Sequence, residues 1–163
     1  MKRILRHLFA PSVRRAFPPQ ALEHIHQAIA ASEKQHRGEI CFAVDAALPL
    51  RQVLAGVSAR ESAEQAFAAL RVWDTEENNG VLIYLLLAEH RIEIVADRGV
   101  AAHVDGAHWQ GICAHISALL AQRQNQAAIT GAVAEIGALL KQHYPCDAGG
   151  GLDELPNRPV ILS

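Results

Sequence analysis

The chain is predicted to fold as an α/β domain, a mixed sheet with a central β-hairpin layered between helices on both faces, and three observations predict it. Gly80 to Leu87 is a continuous apolar run entered through the polar loop Glu76-Glu77-Asn78-Asn79. Arg91 to Asp97 follows after only Ala88-Glu89-His90 and alternates apolar with polar residues, so the two runs form an antiparallel pair. Glu39-Ile40-Cys41-Phe42-Ala43-Val44-Asp45 supplies a further strand, and segments with helical apolar spacing separate and follow the strands.

The elements follow in order. Ile4, Leu5, Leu8 and Phe9 fall at helical spacing, and Pro11 stops that helix. Phe17-Pro18-Pro19 marks a boundary, and Pro19 suits the first turn of a helix that carries Leu22, Ile25, Ala28 and Ile29 to about His36. Gly38 closes it before the first strand. Residues 46–57 are punctuated by Pro and Gly and read as a loop. Ser58 is an N-cap with Glu61 as its capping-box partner, opening a helix whose buried face is Ala63, Ala66, Phe67, Leu70 and Trp73. After the hairpin, Trp109, Ile112, Cys113, Ile116, Leu119 and Leu120 give a long helix over 107–123. Ile129, Val133, Ile136, Leu139 and Leu140 give another over 124–143, in which Gly131 and Gly137 permit close approach of a neighbour. Pro159-Val160-Ile161-Leu162 either adds to a sheet edge or forms a flexible end.

At 163 residues the chain is large enough to bury one core without disulfides or metals to staple it. Cys41, Cys113 and Cys146 are odd in number and widely spaced, which supports neither a disulfide framework nor a zinc site and points to a reducing compartment. The first 18 residues hold Lys2, Arg3, Arg6, Arg14 and Arg15 with no acid, leaving ten basic residues against 17 acidic ones in the rest. That basic start either packs as an amphipathic helix on its own domain or contacts an anionic membrane surface or a partner. The acidic body opposes phosphate contact, so nucleic acid is not expected. No apolar run reaches the length of a signal-peptide core or a transmembrane helix. The expected location is cytoplasmic, with peripheral placement at the inner face of a membrane open to the basic segment.

Gly38-Glu39-Ile40, the helix carrying Ala63 to Phe67, Asn79-Gly80-Val81-Leu82, the strand from Arg91 to Asp97 with Gly99, and Trp109 together resemble the TPM domain. That module is shared by a thylakoid-lumen protein, a photosystem repair factor and a receptor-modulating protein. The match covers most of residues 20–145, and order and spacing carry it more than any single motif. It divides the chain into a basic segment at 1–18, the domain at 19–145 and an extension at 146–163. The resemblance implies a Rossmann-like α/β/α sandwich. It also implies an acid phosphatase activity attributed to some members and divalent-metal binding attributed to others. Glu154-Leu155-Pro156-Asn157-Arg158-Pro159 is similar to the tail of the short bacterial form. Longer relatives carry a signal peptide, a transmembrane helix and a Gly-rich tail, none of which is seen here. Short members are found beside LemA-type and longer TPM membrane proteins, which implies a membrane-associated partner.

Candidate chemistry centres on strand ends. Asp45 and Asp97 both close strands, and with Glu77, Asn78 and Asn79 they form an oxygen-rich set suited to Ca²⁺ or Mg²⁺, provided that the strands ending in the two aspartates run parallel. The alternative is that Asp45 caps a turn, Asn79-Gly80 makes a turn and Asp97 pairs with Arg98 or a helix end. A metal-assisted phosphatase would draw on Asp45, Asp97 and Arg98, with Gly99 opening a turn whose amides bind anions. Against it, no Cys-x5-Arg, Asp-x-Asp-x-Thr or phosphate-loop signature is present. His103, His108 and His115 lack chelating spacing, since His108 and His115 lie about 10.5 Å apart along a helix. The expected function is therefore a non-catalytic binding module in a membrane-associated process, with metal-assisted phosphoester hydrolysis as the alternative.

Overall fold

The computed structural model describes residues 1–146 and 154–163, in which β1 (Glu39–Asp45), β2 (Gly80–Leu86), β3 (Arg91–Ala96) and β4 (Val160–Ile161) form one sheet ordered β3-β2-β1-β4. Its helices are α1 (Lys2–Leu8), α2 (Val13–Ala16), α3 (Pro19–Glu33), α4 (Leu50–Leu54), α5 (Ala59–Ala69), α6 (Arg98–Ala101), α7 (Gly106–Ala121) and α8 (Asn125–His143). β1 and β2 run parallel, with Glu39 opposite Gly80 and Asp45 opposite Leu86. β3 is antiparallel to β2, pairing Ala96 with Val81 and Arg91 with Leu86. The tail takes the sheet-edge option, as Val160 and Ile161 pair in parallel with Ala43 and Val44. The hairpin is therefore not wholly central as expected: β2 lies inside the sheet because β1 pairs with its other side, whereas β3 is an edge strand.

Strand periodicity makes the two faces. Ile40, Phe42, Val44, Val81, Ile83 and Leu85 share one core with Ile25 and Ile29 of α3, Ile112 and Ile116 of α7, and Ile129 and Ile136 of α8. Cys41, Ala43, Leu82, Tyr84 and Leu86 meet Val53 of α4, Ala63 and Ala66 of α5, and Leu155 of the tail. With both faces covered, β1 and β2 can be apolar along nearly their whole length. Phe17 is fully buried and meets Phe42 edge-on, with ring centroids 5.6 Å apart.

Local chemistry explains the helix boundaries. Ser58 and Glu61 form both bonds of the capping box at the start of α5. Residues 46–57 are not wholly loop, because Pro49 is followed by the short α4. Trp73 does not extend the buried face of α5. That helix ends at Ala69, Arg71 turns into the left-handed region at φ 56°, and Trp73 lies half exposed beneath the Arg71 guanidinium.

Gly137 and Gly131 separate cleanly. A Cβ on Gly137 would collide with the Ser32 hydroxyl where α3 crosses α8, whereas one on Gly131 meets nothing within 4 Å. Gly137→Ala must turn the Ser32 hydroxyl away from His36 Nε2, which it meets at 2.9 Å, so the lost bond should cancel the helix-propensity gain and leave a net cost of up to about 1 kcal/mol. Gly131→Ala should be neutral or gain up to about 1 kcal/mol from helix propensity. Urea unfolding of the two variants measures both.

Candidate functional site

The parallel pairing sends the strands' polar ends to two opposite edges. Asp45 closes β1 beside Leu86, while β3 returns to the other edge, so that Asp97 N–H donates to Gly80 O at 2.8 Å. Seven residues of strand put the two aspartates roughly 20 Å apart. The expected convergence of Asp45 with Asp97 is thus corrected. It required β1 parallel to β3, and β1 is parallel to β2 instead. Asp45 has a structural partner, accepting the buried Tyr84 hydroxyl at 2.7 Å.

At the edge where β1 and β2 begin, the other candidates do gather. Asp97 caps α6, its Oδ1 accepting Arg98 N–H at 2.7 Å. Asn78 O accepts Gly99 N–H at 3.0 Å, and Asn78 Oδ1 accepts Arg98 Nε–H at 3.1 Å. A side chain on Gly99 would strike the Asn78 and Glu77 carbonyls, which is why the loop closes so tightly there. Asn79 is buried and donates to Arg37 O at 2.8 Å, while Glu77 pairs with Arg37 at 3.4 Å. Burial, together with the negative charge of Glu77 and Asp97, pushes the Tyr144 hydroxyl pKa up, which puts Tyr144 in the same cluster.

Asn79 Oδ1 and Asp97 Oδ2 are buried and accept no hydrogen bond among the described residues. Both are oxygen atoms of the kind a hard cation takes. Among the described residues, no group of three or more His, Cys, Asp or Glu side chains is placed to hold a metal. A thiolate nucleophile is not available from Cys41, which is buried and whose pKa burial pushes up to about 12.

The opposite edge is basic and partly apolar. α1 packs against α4 and the 3-10 turn Leu87–Glu89. His7 Nδ1 accepts Leu48 N–H at 3.0 Å, so Nε2 carries the proton that bonds Glu89 Oε1 at 2.8 Å. Arg3 Nε–H reaches the same oxygen at 2.7 Å, and the guanidinium also donates to Val53 O and Val57 O. These bonds turn Arg3, Ile4 and His7 inward and Lys2, Leu5, Arg6 and Phe9 outward. Leu8 and Phe9 are 62% and 80% exposed, and Leu50 and Leu54 of the adjoining α4 are exposed as well. Among the described residues Lys2, Arg6, Arg14, Arg15 and Arg51 form no ion pair.

The fold is a layered α/β/α domain, with an acidic loop cluster at one end of its sheet and a basic rim at the other. The chain belongs to the TPM domain family, whose model matches residues 14–139. Its fold is similar to that of the BA42 protein from the psychrophilic bacterium Bizionia argentinensis, with a TM-score of 0.80 and 22% identity over 92% of this chain and 98% of that one. It is also similar to the N-terminal domain of the cg2496 protein from Corynebacterium glutamicum, with a TM-score of 0.57 and 13% identity over 85% and 81% of the two chains. No curated protein matches the chain. No helix among the described residues is long and apolar enough to cross a membrane.

Sequence reasoning missed Tyr144, Glu89 and the outward turn of Leu5, Leu8 and Phe9. The signal for the last was available, since Ile4 and His7 fall on one helical face and Leu5 and Phe9 on another. Burial pushes the Glu89 carboxyl up, but the bonds from His7 and Arg3 outweigh it and hold the group below the ordinary carboxylate range. Its contribution to docking α1 is therefore complete above the ordinary glutamate pKa of about 4.3, and is lost as pH falls through the lower value of the folded state. In acid titrations of the native protein, followed by hydrogen exchange in α1, Glu89→Gln should flatten the acid limb. An unchanged limb would remove Glu89 as the anchor.

Proposed function

We propose that this protein is a non-catalytic module that docks peripherally on an anionic membrane surface through α1 and the basic rim around it. The carrying observation is the outer face and C-terminal end of α1, where Leu5, Leu8 and the capping residue Phe9 stand exposed beside Lys2 and Arg6. Seating those three side chains in the headgroup boundary contributes several kcal/mol, at roughly 1.5–3 kcal/mol for each one fully buried. Each rim cation adds about 1 kcal/mol at an anionic bilayer. Together these terms support reversible, salt-sensitive binding. The rest of the chain carries an excess of acid, which orients the domain with its acidic edge away from the bilayer.

Co-sedimentation with phosphatidylcholine vesicles containing phosphatidylglycerol tests this reading. Wild type should bind at low salt and be released by high salt. Leu8→Ser combined with Phe9→Ser should weaken binding by at least roughly tenfold. No binding at low salt sinks the reading. If the protein binds native membranes only, and protease treatment of those membranes abolishes it, the occupant is instead a membrane protein.

A second reading, a hard-cation site at the acidic edge, is favoured by the unpartnered Asn79 Oδ1 and Asp97 Oδ2. Asp97, Asn79 and Glu77 would hold Ca²⁺ or Mg²⁺, and the cation would supply charge neutralisation for the loop or polarise a phosphoester oxygen. Millimolar Ca²⁺ should raise the melting temperature of wild type by a few degrees and leave Asp97→Asn unmoved. Identical melting curves with and without the ion would remove this site, and with it metal-assisted hydrolysis.

A further inference from the structure

We infer that the open side of β3 is a self-association surface, on which a second copy of this chain lays its own β3 antiparallel and joins the two four-stranded sheets into one. β3 has a neighbour, β2, on one side only. Asp97 N–H donates to Gly80 O, and in the antiparallel register the backbone groups of Val95, Glu93 and Arg91 turn the same way, towards β2. The N–H and C=O groups of Ile92, Ile94 and Ala96 therefore point away from the sheet. A groove of about 510 Å³ runs beside them, walled on one face by Trp109, Cys113, Ala114 and Ser117 of α7. Ile94 is covered, since Arg60 Nη1–H donates to its O at 2.8 Å and Cys113 Sγ takes its N–H. Among the described residues the outward groups of Ile92 and Ala96 form no hydrogen bond. Such a row of open ladder groups is a template for another strand.

Charge and register identify the occupant. Outward residues must face outward residues, so two copies of β3 can meet only in registers that differ by whole pleats. Centred on Ile94, Ile92 faces the partner's Ala96 and Arg91 faces the partner's Asp97. Arg91 is exposed and forms no ion pair among the described residues. The next register, centred on Glu93, sets two carboxylates directly opposite each other, which is destabilising. The faces agree as well. Ile92 and Ile94 belong to the core that α7 covers, so the partner's Ile92 and Ile94 extend that same apolar face. Because Cys113, Ala114 and Ser117 are small, the partner's α7 can approach closely there. Antiparallel addition also lays the acidic edge of each copy beside the basic rim of the other, because Asp97 and Arg91 stand at opposite ends of β3. Each copy must first release Ile94 O from Arg60, which keeps the association weak. This goes beyond the docking reading and does not rest on it. The two α1 faces of the pair point in opposite directions, so pairing brings no second α1 to the same bilayer.

Full-length protein, without lipid, is followed by sedimentation equilibrium from micromolar to millimolar concentration. Reversible dimerisation is expected, weakened by salt. In hydrogen exchange the amides of Ile92 and Ala96 should gain protection as concentration rises, whereas those of Glu93 and Val95, already directed at β2, should not change. Ala96→Pro loses only an outward N–H and should weaken the dimer at least roughly tenfold. Arg91→Glu, at an exposed side chain, should do the same by facing the partner's Asp97. Arg60→Ala should act the other way and tighten the dimer several-fold by uncovering Ile94 O. The proposal is overturned by a wild type that stays monomeric at millimolar concentration, by a dimer whose Ile92 and Ala96 amides stay unprotected, or by undiminished dimerisation in both Ala96→Pro and Arg91→Glu. A dimer no tighter in Arg60→Ala overturns the role given to Arg60.

Discussion

The polar groups at the two ends of the sheet are placed by the parallel pairing of β1 with β2. Seven residues of each strand run side by side, and both sheet faces are closed by helices. No charged group can leave such a sheet sideways without losing its water, so charge exits at the strand ends. Because the two strands point the same way, all starting ends share one edge and all finishing ends the other. β3 then carries Asp97 back to the starting edge, where Asn78 and Asn79 already lie. The separation of an acidic cluster from a basic rim is a consequence of strand direction.

The starting edge is held by a buried carboxylate. Glu39 is 2% exposed, and its oxygens accept the backbone N–H groups of Glu154 and Leu155 at 3.2 Å. Glu154 in turn accepts Glu76 N–H at 3.0 Å. Those bonds bring Leu155 into the second core and lead the chain towards β4, so the tail is a working part of the sheet. The finishing edge uses the equivalent device, with Glu89 binding His7 and Arg3. In each case a carboxylate on the domain captures a chain terminus. The tail thereby loses its freedom to act as a docking arm, whereas α1 is fixed with its apolar outer face still open.

Much of the fold was legible because it depends on local periodicity and short links. The strand Glu39–Asp45, the capping box at Ser58 and the hairpin joined by a turn around Glu89 all follow from residues near one another in sequence. The pairing of β1 with β2 was not legible, since 34 residues separate Asp45 from Gly80 and local pattern says nothing about strand direction across a crossover. The site suffered accordingly. Asp97 and Asn78 could be brought together through the hairpin, but the place of Asp45 depended on that unseen direction. Trp73 was misplaced for a smaller reason, the left-handed turn at Arg71, a residue type without the signature that glycine provides. The exposed Phe9 was misread because spacing identifies a helical face without saying that a neighbour covers it.

Left-handed turns occur at both edges. Asn78 at the acidic edge, and His90 and Arg123 at the basic one, all hold positive φ, at 52°, 50° and 59°. Asn tolerates that region through its short polar side chain, but His and Arg do so at about 1–2 kcal/mol each. The turns themselves do not require those two side chains, since His90 N–H and Arg123 N–H bond Leu87 O and Leu120 O through the backbone, as glycine would. Neither side chain fills a core, and neither forms an ion pair among the described residues. Both lie at the rim of the hollow beside the end of β2, with Arg15. Arg71 holds the same conformation at φ 56° in the turn after α5, so left-handed turns closed through the backbone are a device this chain uses at several helix and strand ends, whichever side chain they carry.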